Sequence, residues 1–215
     1  MILEEMMNTD VVTLGPGHTI REARELMEDR KIRHLPIVDD EGGIVGVVSD
    51  RDLKEAIPSS LIGKQDLSVY ETPLSDIMTK DPMVAHPLDF VEDAAVIFYE
   101  NGIGCLPVVS SGKVVGIITE TDLLYRYIEL TGASKPGSQI EVRVPDVAGV
   151  LFGVFKVFYE QNANVLSVLV YPDKERLDHK ILVIRVKTMN PLAIIEQLRK
   201  EGYDVLWPNL PGMQQ

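Results

Sequence analysis

At 215 residues, with 45% apolar and 25% charged side chains, the chain is long enough for two or three compact units and too apolar for wholesale disorder. Its 21 basic and 33 acidic residues leave a formal charge of −12, which excludes a generic binder of nucleic acid or of an anionic membrane, since both need a basic face. The single cysteine, Cys105, excludes an internal disulfide framework and a Cys-only zinc site, and no two of the four histidines stand at metal-ligand spacing.

The N-terminus, MILEEMMNTD, carries acids where an export signal needs basic residues. The longest apolar run, Val147 to Phe155, has about nine residues, against the roughly 20 that a membrane span requires. The expectation is a soluble, cytoplasmic protein.

An internal repeat organises the first two thirds. MNTDVVTLGPGHTIREA lies over MTKDPMVAHPLDFVEDA, and KIRHLPIVDDEGGIVGVVSDRDL over GIGCLPVVSSGKVVGIITETDL. Identical pairs include Met7/Met78, Asp10/Asp81, Leu35/Leu106, Pro36/Pro107, Gly46/Gly116 and Asp52/Asp122. Each copy of about 50 residues reads as β-α-β-β-α. Thr19 is a plausible cap for a helix whose stripe is Ile20, Ala23, Leu26 and Met27. Leu35–Val38 and Ile44–Val48 make a hairpin across DDEGG, and a short helix begins near Asp50. In the second copy the stripe is Val91, Ala94, Ala95 and Phe98. Leu106–Val109 and Val114–Ile118 repeat the hairpin, and a helix begins near Glu120. The polar segment 58–73 connects residues 1–57 to residues 74–130.

TGASKPGS, residues 131–138, marks a boundary. Residues 139–210 then read β-α-β-β-α-β, a ferredoxin-like unit. Gln139–Val144 alternates, PDVAG turns, and Leu151, Val154, Phe155 and Phe158 form a helical stripe. Asn164–Tyr171 and Lys180–Lys187 are strands. Asn190 caps a helix with Pro191 at its first position, and Tyr203–Trp207 closes the sheet. Residues 138–215 hold nine basic and nine acidic side chains, so the whole −12 belongs to the repeated region.

The doubled unit, with GVVSDRD and GIITETD at the same internal position, resembles a pair of CBS domains, the tandem arrangement called a Bateman module. VPDVAGVLFGVFKVFYEQNANVLSV is similar to an ACT domain. The order CBS-CBS-ACT resembles the acetoin utilization family. The fold class is therefore α+β, a Bateman module followed by a ferredoxin-like ACT domain. The resemblance implies a non-enzymatic regulatory sensor with no catalytic residues and no cofactor. Its regulatory ligand is an adenine nucleotide (AMP, ADP or ATP), held in the CBS pair, with an alternative adenosine compound such as S-adenosylmethionine. It also implies a homodimer, an unidentified regulated partner protein, and a place in acetoin or acetate metabolism. A structural scaffold that binds nothing is the remaining alternative.

Ser49 and Asp52, and Thr119 and Asp122, sit where CBS domains hold ribose and phosphate. A carboxylate can accept hydrogen bonds from both hydroxyls of a ribose diol. The competing reading is a capping box, in which the hydroxyl caps a helix and the third residue reaches back. The run Arg30-Lys31-Ile32-Arg33-His34 is the densest basic patch, and Arg33 and His34 are the phosphate candidates. Copy two has Asn101-Gly102-Ile103-Gly104-Cys105 in the same place, so the fold does not demand the charge. The alternative is helix-end electrostatics. The resemblance places the backbone near Thr13 and Val84 beside the adenine, with Leu35, Pro36, Leu106 and Pro107 as apolar contacts to the base or as ordinary core. In the ACT-like part, Asp146, Ala148, Gly149 and Asn164 are the implied amino-acid contacts, against a purely structural role in turns and caps. Cys105, flanked by Gly104 and Leu106, reads as a buried structural thiol, and no metal site is expected.

Overall fold

Thr19 opens the first long helix, and the rest of each repeat follows from where its chain can cap, turn and bury apolar side chains. In the computed structural model, which describes residues 1–57 and 67–208, α1 spans Ile20–Arg30. Thr19 accepts from the Glu22 N–H while Glu22 reaches back to the Thr19 N–H, so two orphan donors are satisfied at once. Ile20, Ala23 and Met27 turn inward. Lys31 closes the helix in the left-handed region, φ 55°. Then come β1 (His34–Val38), β2 (Ile44–Ser49) and α2 (Asp50–Ala56).

The second copy follows the same course with β3 (Thr79–Lys80), α3 (Val91–Asn101), β4 (Cys105–Ser110), β5 (Lys113–Thr119) and α4 (Glu120–Thr131). Gly102 ends α3 with φ 62°, where the first copy has Lys31. The hairpins match in register: His34 faces Ser49 and Cys105 faces Thr119, and each carries an irregularity at the same place, Ile37/Val38 and Val108/Val109. Ala95 is exposed, so the α3 stripe is narrower than its spacing predicts and rests on Ala94 and Phe98.

The expected leading strand of each copy is not a strand along its own sheet. It is broken in two, and the first part belongs to the other copy. β3 pairs with Gly46 and Val47 of β2, and Asn8 bridges to Ile117 of β5. Only then do Leu14 and Ala85 form parallel bridges to Ile37 and Val108 of their own hairpins. The exchange is held at both ends. The Leu3 N–H donates to the Asp89 carbonyl at 2.9 Å, and the Leu74 N–H donates to the His18 carbonyl at 2.8 Å. Gly46 and Gly116 leave space that the thioethers of Met78 and Met7 fill, so a side chain at either glycine collides with a methionine from the other copy. Leu3 is accordingly buried with Leu106, Val108 and Ile118, and Leu74 with Leu35, Ile37 and Val48. A third apolar cluster, Val47, Cys105 and Ile117, is built from both copies. Neither copy carries a complete core by itself, which is the usual condition of a 50-residue unit.

The chain divides into two compact units, Met1–Leu124 and Tyr125–Gln215. In the second, β6 (Ser138–Pro145), α5 (Val150–Glu160), β7 (Val165–Pro172), β8 (His179–Val186), α6 (Leu192–Lys200) and β9 (Asp204–Trp207) form an antiparallel sheet in the order β7-β8-β6-β9 with the two helices packed against its core. Ile140, Val142 and Val144 alternate inward from β6 and meet Val154, Val157 and Phe158 of α5. Leu151 is 42% exposed, and from the first turn of α5 it is Val150 that packs against the core. Asn190 does accept from the Leu192 N–H, at 3.3 Å, but Pro191 precedes the helix instead of opening it. Much of the expected connector, and Asn209 and Leu210, lie outside the described residues.

Candidate ligand clefts

Ser49 and Thr119 end equivalent strands, and each is followed directly by a helix. Asp52 Oδ2 accepts from the Ser49 N–H and the Ser49 hydroxyl, both at 2.7 Å, and Asp122 Oδ2 does the same for Thr119 at 2.8 and 2.7 Å. Each hydroxyl in turn accepts from the aspartate N–H. Both motifs are therefore complete capping boxes. The capping role uses one oxygen of each carboxylate. Among the described residues no hydrogen bond engages Oδ1 of Asp52 or Asp122, and both side chains are half-buried, so a second acceptor remains at each motif.

A cleft of about 450 Å³ opens at Ser49 and Asp52. Its walls come from both copies: His34 and Val47 from the first, and Asp81, Pro82, Met83 and Gly102–Cys105 from the second. The exchange of leading segments brings residues 79–83 here. His34 spans the two copies: its ring lies on Gly104, where a Cβ would stand 2.7 Å from Nε2. Burial pushes the His34 imidazole below its usual pKa, and the Arg33 cation pushes the same way. Cys105 lies at the back of the cleft, 7% exposed. Burial, with the Asp52 carboxylate adding, pushes its thiol up to about 12, so it stays protonated and unreactive.

Arg33 does not join His34. Its guanidinium Nη2 donates to Thr121 Oγ1 at 3.1 Å, inside the second motif. The two phosphate candidates therefore face different motifs, Arg33 the second and His34 the first. Leu35, Pro36, Leu106 and Pro107 are all buried, Leu35 and Leu106 completely and within the cores of their copies, which is the ordinary-core arrangement of the two alternatives. Thr13 is half-buried and Val84 is 43% exposed. Each directly precedes its parallel bridge, with backbone groups that no hydrogen bond among the described residues engages. The cleft residues that spacing alone did not single out are Asp81, Pro82, Met83 and Gly104. The available signal was the Met/Gly pair repeated in both copies, which marks the crossing.

In the second unit, Asp146, Ala148 and Gly149 border a cleft of about 300 Å³ at the start of α5. Gly149 takes φ 84°, a conformation other residues resist, and Lys180 Nζ meets Asp146 Oδ1 at 2.7 Å. Asn164 lies beyond the other end of α5, where its carbonyl accepts from the Lys187 N–H at 2.8 Å. Within one chain it does not reach this cleft; the resemblance groups it with Gly149 at a subunit interface, where the two come from different chains. Among the described residues no cluster of His, Cys, Asp and Glu is arranged to hold a metal ion, and no helix is long and apolar enough to cross a membrane.

The CBS domain pattern matches residues 3–59 and 74–129, more than half of the chain. The chain belongs to the CBS-domain family. The ACT domain pattern matches residues 138–202, so a tandem CBS pair is followed by an ACT domain. Among solved structures, the chain is similar to a Vibrio cholerae protein named for acetoin utilization, AcuB, with 38% identity and a TM-score of 0.56 over 63% of this chain and 98% of that one. It is similar to CBSX2 of Arabidopsis thaliana, solved in complex with AMP, with 30% identity and a TM-score of 0.51 over 59% of this chain and 96% of that one. It is also similar to the CBS pair of protein MJ0100, solved with 5′-methylthioadenosine and S-adenosyl-L-methionine, with 26% identity and a TM-score of 0.52 over 63% of this chain and 98% of that one. The first curated relatives are longer proteins, of which the matched stretch spans 43% or less.

Proposed function

We propose that this protein is a non-enzymatic regulatory sensor whose CBS pair binds an adenine nucleotide. The observation that carries the reading is the pair of equivalent motifs, Ser49/Asp52 and Thr119/Asp122, each with a carboxylate oxygen left free by the capping box. A free acceptor on a rigid helix start suits a ribose diol. The complexes of CBSX2 with AMP and of MJ0100 with adenosine compounds support this reading. Asp52, Asp122, Ser49 and Thr119 are its primary contacts, with the backbone at Thr13 and Val84 beside the base. The ACT domain offers the cleft at Asp146, Ala148 and Gly149 to an amino acid. The likeness to AcuB supports a role in acetoin or acetate metabolism. We assign the protein to the cytoplasm and to a homodimer, since two-fold closure is the commonest homo-oligomer symmetry. The ligand acts by favouring one arrangement of the dimer over another, and a partner protein reads the difference.

A thermal-shift series with AMP, ADP, ATP, adenosine, S-adenosylmethionine and the common amino acids tests the assignment. A ligand at about 100 times its Kd stabilises the folded state by about 2.7 kcal/mol. A raised melting temperature with at least one adenosine compound is the expected result. No shift with any of them at millimolar concentration overturns the nucleotide reading, and no shift with any amino acid overturns the ACT assignment.

A further inference from the structure

Resting on the nucleotide reading, we infer that the cleft at Ser49 and Asp52 takes an adenosine compound without phosphate, neutral or sulfonium-bearing, and that phosphorylated ligands go to the motif at Thr119 and Asp122. The electrostatics of the first cleft carries this. Three carboxylates line it: Asp50, which is already paired with Lys54 at 2.8 Å, Asp52 and Asp81. Among its described lining residues the one permanent cation is Arg51, and its guanidinium is already bonded to Glu55 at 2.8 Å. His34, the other basic group, is held toward its neutral form by burial. A phosphate placed here meets carboxylates and no free cation. The remaining walls, Val47, Pro82, Met83 and Ile103, are apolar and suit a base and a thioether. The volume of about 450 Å³ lies within the range of small-molecule sites. A sulfonium beside the half-buried Asp52 gains where a phosphate loses, because opposite charges attract and like charges repel more strongly away from bulk water.

The second motif carries two acids of its own, Glu120 and Asp122, and differs in the cation that reaches it. Arg33 reaches Thr121 within it and forms no ion pair within 4 Å among the described residues, although its charge also acts on Asp50. The corresponding position on the first cleft is Gly104, which has no side chain to offer. The two copies thus differ in the cations near each motif: Arg33 stands where the first cleft has Gly104, and Lys31 where it has Gly102, while Arg51 of the first cleft is replaced by Thr121.

Calorimetry on the full chain at low salt tests this with 5′-methylthioadenosine, S-adenosylmethionine, adenosine, AMP and ATP, against wild type, Asp52→Asn and Asp122→Asn. Asparagine keeps the acceptor that the capping box needs. Asp52→Asn is expected to weaken 5′-methylthioadenosine about tenfold or more and leave AMP unchanged, with the reverse for Asp122→Asn. A second readout needs no cleft variant: the Met83 methyl resonance of the wild-type chain, identified by Met83→Leu, shifts with 5′-methylthioadenosine and stays still at saturating AMP. AMP affinity that falls with Asp52→Asn, or a Met83 methyl that follows AMP, overturns the charge assignment and leaves the nucleotide reading standing. If none of the five compounds binds, the nucleotide reading itself fails.

Discussion

His34 lies across Gly104, a residue of the other repeat, so closely that a single added methyl at 104 would stand 2.7 Å from its Nε2. The contact fixes where the first cleft ends. It also makes the glycine of one copy a condition for the histidine of the other. Gly104→Ala must therefore expel the ring or shift the strand. Overpacking of this kind costs about 1–3 kcal/mol. The loss should be largely restored in the Gly104→Ala, His34→Ala double variant. Chemical denaturation of the four proteins of the cycle measures the coupling. Additive losses would show that the two side chains do not constrain each other.

Burial of His34 also predicts an acid dependence. Its folded-state pKa is lowered, so the unfolded chain binds the proton more readily. The stability it contributes is complete above the unfolded value, about 6.5, and is lost as pH falls from there through the depressed folded value. His34→Gln should flatten the stability profile of the CBS pair in that window. An unchanged slope between pH 7 and pH 5 would assign the dependence to other groups.

The repeat, both capping boxes, the two hairpins and the ferredoxin-like order were legible because each has a local signal: identity at a fixed offset, a hydroxyl three residues before an acid, or period-two alternation. The exchange of leading segments was not. Thr79 and Lys80 form a strand of two exposed residues, too short for any alternation, and their partners lie more than 30 positions away. Which cleft each basic residue faces was not legible either, because it depends on how the two copies cross: Arg33 reaches Thr121 of the second copy and His34 lies on Gly104. Asn164 follows an 11-residue helix that begins beside Gly149, which places it about 16 Å away along the axis of the same chain.

Lys31 is held in the left-handed region where the equivalent residue is Gly102. A side chain there costs about 1 kcal/mol, so Lys31→Gly should stabilise the protein by up to about 0.5 kcal/mol, the relief of strain less the roughly 0.5–1 kcal/mol of entropy that glycine adds to the unfolded chain. If Lys31 supports the cation-bearing motif, the same variant weakens AMP and leaves 5′-methylthioadenosine alone. A Lys31→Gly protein that is less stable than wild type would mean that the lysine side chain makes a packing contribution larger than its strain.

In the ACT domain, Arg143 gathers three carboxylates: Asp173, Glu175 at 3.0 Å and Asp204 at 3.1 Å. Asp173 is the buried one, 2% exposed, and its Oδ1 also accepts from the Glu175 N–H at 2.8 Å. That backbone bond first, and Arg143 next among the favourable contacts, hold its carboxyl below the usual aspartate value. A depressed carboxylate stabilises the fold above the unfolded pKa, about 3.9, and the contribution disappears as pH falls through the depressed folded value. Acid unfolding of this domain should therefore begin near pH 4 and deepen below it. Arg143→Met removes the partner and leaves a buried carboxylate with only its backbone donors, Glu175 and Arg176. The variant should melt several degrees lower at pH 7, and the deficit should narrow as Asp173 is protonated, because a neutral acid no longer needs the cation. Asp173→Asn should show the smaller loss at every pH, since the amide keeps an acceptor for the Glu175 N–H and brings no charge that must be paired. A deficit in Arg143→Met that stays constant from pH 7 to pH 3 would mean that the arginine acts through the packing of its aliphatic stem and not through the carboxylates around it.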